Sequence, residues 1–527
     1  MRPSDTPFQG SLKSVSMRIA FRTDGSTTIG LGHVMRCMAL ADAMEDAGAQ
    51  VHFVCRKLDT NISHRLRTRG FNVSSLPAPA GEVMTTDTTE PAHAIWAGVP
   101  WELDAQQTID ALREWQPEWV VVDHYAFDAR WHQMVKNELG TRIAVIDELA
   151  DRDLLADLII DQTPHPDYRE KYRHHLQGTS AAILGGPRFA LLCRSYSNAA
   201  HYRPSTDIRS IGIFMGGSDP GNYSSLAWHA CREVAKFQGP IEIVTTKANP
   251  HRAELELLAQ RDSNTTLSVD LPDLASFFVR HDLQIGAGGG STWERCYVGA
   301  PTLALVIADN QKALIPQLAE LGAVATLPEN TVINEQSISQ TVLQMTRDPS
   351  VRLALCQRSS QLVDGLGATR VALYMLSSSL AVRPATIDDA EYMYAWRNAQ
   401  QIRAVSNQQK PLERPSHLQW LGNALADSSR TIFVGTVGSR PVGVIRFDRM
   451  NTGVHEVSLY LDPLLHGLKL GTWLLKAGEQ AIQKINQKSA LTFSASILAD
   501  NIASQRLFKE SGYIFTGTCW LKSGNSQ

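Results

Sequence analysis

The chain has 527 residues, 43% of them hydrophobic and 20% charged, with a formal net charge of -3. That length exceeds one ordinary core and suggests about three domains, and the composition is that of a folded chain, not a disordered one. The near-balanced charge gives no electrostatic case for nucleic acid or a membrane surface as partner. Residues 1–16 are polar, lack the apolar segment of a signal peptide and read as a loose extension, with Met17 as an alternative start. Met17 to Phe21 then reads as a short buried strand. It runs into Phe21-Arg-Thr-Asp-Gly-Ser-Thr-Thr-Ile-Gly-Leu-Gly-His33. Val34, Met38, Ala41 and Met44 follow at helical spacing, so His33 falls at or just before a helix start. Gly30 and Gly32 let the backbone approach a ligand, and first-turn N–H groups suit a phosphate. The same positive helix end favours a neutral imidazole that can accept a proton, although a simple helix-capping role for His33 is the alternative.

Further on, Trp119-Val-Val-Val-Asp123, Ile143-Ala-Val-Ile-Asp147 and Leu158-Ile-Ile-Asp161 are apolar runs, each ending in Asp, as buried parallel strands do. These three carboxylates form no recognisable metal cluster and read as helix or loop caps. A Gly/Pro-rich and polar passage, 185–207, precedes a second series of strands at Ser210–Met215, Ile241–Thr245, Leu283–Gly286 and Thr302–Ile307. Two strand–helix series imply two Rossmann-like domains, 17–200 and 201–378, facing across a cleft. In the second, Gly216, Gly217 and Ser218 form one candidate phosphate loop. Gly288-Gly-Gly-Ser-Thr-Trp-Glu294 forms a sharper one, in which Gly289, Gly290 and Ser291 open a helix. Glu294 is placed either to accept from ribose hydroxyls or to complement the helix dipole. Asn310 and Gln311, in Ala308-Asp-Asn-Gln-Lys312, offer further polar contacts. No Walker loop and no dinucleotide fingerprint is present. The segment 380–527 changes character again. Strand-like Thr431–Val437, Val442–Phe447, Glu456–Leu461 and Leu491–Ser496, with helical Leu470–Asn486 and Ala503–Ser511, make an independent α+β domain. The seven cysteines include no Cys-x-x-Cys pair, which fits a reducing cytoplasm.

Taken together, Arg22-Thr-Asp24, Ile29-Gly-Leu-Gly-His33, Val122-Asp-His-Tyr125, Gly216-Gly-Ser-Asp219, Gly288-Gly-Gly-Ser-Thr-Trp-Glu294 and Asp309-Asn-Gln311 resemble a known family. It is that of the UDP-sugar hydrolases of pseudaminic acid biosynthesis, which release UDP from UDP-2,4-diacetamido-2,4,6-trideoxy-β-L-altropyranose. The resemblance covers roughly residues 17–375. It implies a GT-B-like pair of domains, a metal-independent reaction, His33 as general base for water, and Tyr125 in the sugar pocket. Arg22, Asp24, the glycine loops, Glu294, Asn310 and Gln311 are then the substrate-binding set. Arg383-Pro-Ala-Thr-Ile-Asp-Asp-Ala390, Trp396-Arg-Asn398, Val457-Ser-Leu-Tyr-Leu-Asp-Pro463 and the run Asp500–Tyr513 resemble GNAT acyltransferases. That resemblance implies acetyl-CoA as co-substrate, held along Leu459 and Leu461, by a loop containing Gly467 and Gly471, and beside Asn501. Lys469 stands where the family's loop has its first glycine, and Phe508 stands where many members have a catalytic Tyr acid. Glu456 is a candidate base. The fused pair implies N-acetylation of the 4-amino group of the UDP-sugar precursor, upstream of hydrolysis, with other enzymes of that pathway as partners. The alternatives are a GT-B glycosyltransferase with a UDP-sugar donor, or a hydrolase carrying a non-catalytic acyl-CoA-binding module.

Overall fold

A computed structural model describes residues 16–81, 90–176, 181–451, 453–486 and 491–524. The expected N-terminal extension therefore lies, up to residue 15, outside the described residues. The first sheet contains β1 (Arg18–Thr23), β2 (Gln50–Arg56), β3 (Asn72–Leu76), β4 (Trp119–Asp123), β5 (Arg142–Ile146), β6 (Leu158–Asp161) and β7 (Ala182–Gly185). Its order is β3-β2-β1-β4-β5-β6-β7, with every pairing parallel. Strand order reverses between β1 and β4, so the carboxyl ends of these two strands flank the crevice where such sheets bind ligands. Helix α1 (Gly32–Asp46) follows β1 and buries Val34, Met38, Ala41 and Met44, each at most 5% exposed. Those are the positions that the 3.6-residue period predicts. Burying the Val and the two Met contributes about 1.5–3 kcal/mol each, which fixes the start of α1 against the sheet.

The second sheet is built the same way from β8 (Ile211–Phe214), β9 (Ile241–Thr245), β10 (Thr265–Val269), β11 (Leu283–Ala287), β12 (Thr302–Leu305) and β13 (Ala325–Thr326). The order β10-β9-β8-β11-β12-β13 is again all parallel and reverses between β8 and β11. The glycine loops after β8 and β11 thus flank the second switch point. Both sheets belong to one compact unit, Arg18–Glu45 with Gln50–Val371, as a pair of Rossmann-like domains in GT-B fashion.

The third sheet lies in the other compact unit. Its strands are β14 (Ala381–Pro384), β15 (Arg430–Val437), β16 (Arg440–Asn451), β17 (Val454–Leu461), β18 (Thr492–Ala495), β19 (Ile514–Phe515) and β20 (Trp520–Ser523), in the order β14-β15-β16-β17-β18-β20-β19. Strand β16 is longer than the apolar run Val442–Phe447 suggests. Its polar end, through Arg446 and Asp448, is held by ladders to β15 and β17 on both sides. The single parallel pairing, β17 with β18, lasts only from Val454 to Glu456. Beyond Glu456 the ladder stops, so Leu459 and Leu461 lie where the two strands part.

Candidate active site

The loop between β1 and α1 closes on itself. Gly30 N donates to Ser26 O at 2.8 Å, and Ile29 N donates to the Ser26 hydroxyl at 3.0 Å. Gly30 has φ of +78°, a conformation that glycine adopts without strain. A Cβ at Gly30 or Gly32 would meet nothing within 4 Å, so this stretch of backbone borders open space. Helix α1 starts at Gly32, which puts His33 in its first turn with 8% of its surface exposed.

His33 Nδ1 lies 2.6 Å from Asp123 Oδ1, across the first switch point. The register explains the meeting, because Asp123 pairs with Thr23 at the end of β1. Burial alone would raise the Asp123 carboxyl, but the Arg36 guanidinium and His33 hold it well below the usual carboxylate range. Asp123 is therefore ionised and accepts the Nδ1 proton, which leaves Nε2 as the lone-pair nitrogen. Arg36 Nε and Nη2 also donate to Asp123, at 2.6 and 2.7 Å, and the Cys37 thiol does so at 3.4 Å. His33, Arg36 and Cys37 stand at i, i+3 and i+4, on one face of α1. Arg36 reaches on to Glu148, whose other oxygen accepts from the Tyr125 hydroxyl at 2.7 Å. Gln162 Nε2 donates to Glu148 at 3.2 Å, and the Tyr125 ring stands edge-on to His33 at 4.8 Å.

Several expectations are corrected here. Asp123 is not a loop cap but the partner of His33. Asp147 and Asp161 do cap, accepting from Ala150 N and Thr163 N at 2.9 Å each. Arg22 and Asp24 were expected at the substrate, yet both are 0% exposed. Arg22 makes a two-bond fork to Asp104, at 3.0 and 2.6 Å, and an ion pair with Asp24 at 2.7 Å. Asp24 also accepts from Arg56 N at 2.6 Å. Buried charges need such pairing, and at 0% exposed these two residues present no surface to a ligand. They brace the end of β1. Tyr125 is 4% exposed with its hydroxyl committed to Glu148, so its ring steadies His33 and offers a sugar little area.

In the second domain the two glycine loops differ. After β8, Asp219 turns back and accepts from Tyr223 N at 2.9 Å and Ser224 N at 2.8 Å. The helix start beyond Gly216, Gly217 and Ser218 is thus already capped by a carboxylate. After β11, the helix Ser291–Val298 has Gly290 at its N-cap with no side-chain cap, and Cβ atoms at Gly289 and Gly290 would meet nothing within 4 Å. Gly288 is required for another reason: a Cβ there would fall 2.3 Å from Ile315. Gln311, 8% exposed, clamps this loop by accepting from Gly288 N at 3.3 Å and Ile307 N at 2.9 Å. Asn310 beside it is exposed. Beneath the loop, Arg295 is 1% exposed and donates to Ala287 O at 2.7 Å and Thr292 Oγ1 at 3.0 Å. Burial lowers its guanidinium to about 10, and among the described residues no carboxylate pairs with it within 4.0 Å. An uncapped helix start thus opens beside these glycines, with a buried cation on the strand end and first turn behind it, an arrangement suited to an anion.

Glu294 sits one turn in, beside the Tyr196 hydroxyl, and burial pushes its carboxyl up to about 7 from an ordinary 4.5. Below about 4.5 the group is neutral both folded and unfolded, so it costs nothing. Above about 7 it must ionise inside the fold, and stability is lost progressively between those values. Glu294→Gln is expected to erase that loss. Its melting temperature should match wild type at pH 5 and exceed it at pH 8, in thermal scans of the unliganded protein. A difference that does not change with pH would show that Glu294 ionises freely.

In the third sheet's unit, Lys469 adopts φ of +57° at the N-cap of the helix Leu470–Ile485. The loop keeps the left-handed turn natural to glycine, although a non-glycine residue is strained there by about 1–2 kcal/mol. Gly467 has φ of +85° with open space at its Cβ position, and the helix start carries no side-chain cap. Gly471 is buried, its Cβ position 3.3 Å from Leu507. Asn501 caps the helix Ile502–Glu510 by accepting from Ser504 N at 3.1 Å, and its amide donates to Val405 O at 3.4 Å. Glu456 accepts from Ser496 at 2.8 Å, where β17 and β18 part. Phe508 is buried against Tyr513, whose hydroxyl is committed to Glu479 at 2.7 Å. Tyr513 is thus no substitute acid for Phe508. The open helix start, the Gly467 turn and the parted strands fit the diphosphate and pantetheine arm of an acyl-CoA.

Among the described residues, no group of three or more His, Cys, Asp or Glu could hold a metal ion, and no helix is long and apolar enough to cross a membrane. Comparison with known proteins divides the chain in the same place. Residues 379–514 match the acetyltransferase (GNAT) domain family. The spore coat polysaccharide biosynthesis protein SpsG of Bacillus subtilis is 22% identical over 365 residues, 67% of this chain and 96% of that protein. The UDP-2,4-diacetamido-2,4,6-trideoxy-beta-L-altropyranose hydrolase of Campylobacter jejuni is 22% identical over 306 residues, 58% of this chain and 97% of that protein. Among solved structures, Arabidopsis thaliana UGT89C1 complexed with quercetin aligns with 68% of this chain and 99% of its own, at a TM-score of 0.50 and 12% identity, a likeness of fold alone. The chain is thus similar to the Campylobacter hydrolase and to SpsG over more than half of its length, and a GNAT acetyltransferase domain lies C-terminal, at residues 379–514.

Proposed function

We propose that the first two domains release UDP from a UDP-linked diacetamido-trideoxy sugar, and that the GNAT domain N-acetylates the 4-amino group of that sugar's precursor. The observation that carries the hydrolytic reading is the His33–Asp123 pair at the switch point, with Nε2 left free. In this reading a water molecule attacks the anomeric carbon while its proton passes to Nε2. The bond to the β-phosphate oxygen breaks, and the electron pair leaves on the diphosphate. A positioned base of this kind contributes about 10²–10⁴-fold in rate. Gly289, Gly290 and Ser291 amides, over the buried Arg295, receive the diphosphate charge, so neither a metal nor a strong acid is needed. Glu294 takes the ribose hydroxyls, Gln311 holds the loop in shape, and exposed Asn310 adds a polar contact.

In the GNAT domain, acetyl-CoA supplies an acetyl group activated as a thioester. Glu456, steadied by Ser496, is the candidate acceptor for the amine proton, directly or through water. Phe508 can donate no proton, so the departing sulfur leaves as thiolate or takes its proton from water. UDP release measured over a panel of 4-amino and 4-acetamido UDP-sugars, with and without acetyl-CoA and in EDTA, tests both halves. The 4-acetamido substrate should be hydrolysed alone and at full rate in EDTA, and the 4-amino sugar should release CoA before UDP. UDP release that requires an added sugar or lipid acceptor would make the first half a transferase.

A further inference from the structure

Two rings pack on His33, which keeps 8% of its surface exposed, and a third packs on both of them. Trp96 stands edge-on to His33 at 6.1 Å and Tyr125 at 4.8 Å. His93 packs on Trp96 at 4.5 Å and on Tyr125 at 5.5 Å, and Trp96 lies 5.9 Å from Tyr125. Tyr125 is buried, whereas His93 and Trp96 keep part of their surface open. His93 stands at the N-cap of a single turn, Ala94–Ala97, that carries Trp96 and is closed by Gly98, which cannot carry a Cβ because Pro79 lies 2.6 Å from where it would be. Trp96 also packs on the core of the first domain, so its ring is fixed in place. Burial lowers the His93 pKa, which keeps its ring neutral, and His93 Nδ1 is buried without a partner among the described residues. His93 and Trp96 therefore set partly open rings beside the base.

On the hydrolase reading, Nε2 of His33 must stand one water molecule from the anomeric carbon, so the sugar ring lies against this wall. Aromatic faces hold C–H and methyl groups well and leave hydroxyl groups without partners. We infer that Trp96 and His93 are specificity-determining residues that select a sugar bearing methyl groups, as a 6-deoxy carbon or an N-acetyl group does, over a fully hydroxylated hexose. This inference rests on the hydrolase reading but adds the residues that choose the substrate.

The test compares UDP release from a UDP-2,4-diacetamido-2,4,6-trideoxyhexose and from UDP-N-acetylglucosamine, which has hydroxyls at carbons 4 and 6. A methyl-sized difference in such a pocket is worth about 10–200-fold in kcat/KM. Wild type should show a preference of that size. Trp96→Ala should raise KM for the trideoxy substrate about tenfold or more, change the other substrate less than threefold, and so collapse the preference. His93→Ala should act in the same direction, and Trp96→Phe should restore most of the preference, which separates the wall from simple misfolding. If both alanine variants keep the wild-type preference, or lower kcat alone and equally for both substrates, the inference is overturned. If wild type releases UDP from neither sugar, the hydrolase reading itself fails first.

Discussion

His33→Ala is expected to lower kcat for UDP release by about 10³-fold while the dissociation constant for UDP changes less than threefold. The size follows from what the imidazole contributes. Nε2 is the free nitrogen of a ring whose other nitrogen is fixed at 2.6 Å to an ionised carboxylate. Removing it leaves water as its own base, which raises the barrier by about 4 kcal/mol. The glycine loop after β11 lies in the other Rossmann-like domain, so its amides and Arg295 are untouched by the change. Calorimetric titration with UDP, beside a coupled assay of UDP release, reads the two effects separately. Hydrolysis within tenfold of wild type would remove His33 from the reaction. A parallel collapse of UDP binding would show that the side chain holds the ligand instead of activating water.

The parts of this site that the sequence shows are the local ones. A glycine-bounded loop leading into an apolar period of 3.6 locates His33, because loop and helix follow each other along the chain. The glycine run at 288–290 is legible for the same reason. What the sequence hides is any partnership set by strand order. Asp123 is 90 residues from His33, and as a strand-end Asp it looks like Asp147 or Asp161. It becomes the imidazole's partner only because β4 is the neighbour of β1. A weaker signal was available within α1, where Arg36 and Cys37 share a face with His33 and imply a common acceptor. Arg22 and Asp24 mislead in the opposite sense. Charged residues at a strand end look like ligand contacts until Asp104, 82 residues from Arg22, supplies the buried counter-charge. Strand β3, Asn72-Val-Ser-Ser-Leu76, has too few apolar residues to show a period, and only its pairing with β2 makes it a strand. In the GNAT unit the expected loop does form, and Lys469 accepts the left-handed turn at a cost in strain, because the helix behind it needs that entry.

Asp123→Asn should lower kcat for UDP release by about 10²–10³-fold with KM for the UDP-sugar within a fewfold of wild type. The carboxylate does two things at once. It accepts the Nδ1 proton and so keeps the Nε2 lone pair facing the water, and it stabilises the imidazolium that forms when that proton arrives. An asparagine can turn its NH₂ toward Nδ1, which moves the ring proton to Nε2, the tautomer that cannot accept. The substitution also leaves the partly buried Arg36 guanidinium with Glu148 as its one remaining carboxylate, which costs the fold some stability. Loss of activity alone would therefore be ambiguous. The pH dependence of the residual rate resolves it. A wrong tautomer lowers kcat across the whole pH range in protein that still binds UDP, whereas partial unfolding lowers the amount of binding-competent protein and leaves kcat per bound site intact. Active-site titration with UDP, followed by kcat per titrated site, distinguishes the two. The double variant Arg36→Gln/Asp123→Asn, which removes the stranded charge, should recover thermal stability without recovering kcat. If it recovers both, Asp123 serves the fold and His33 works without it.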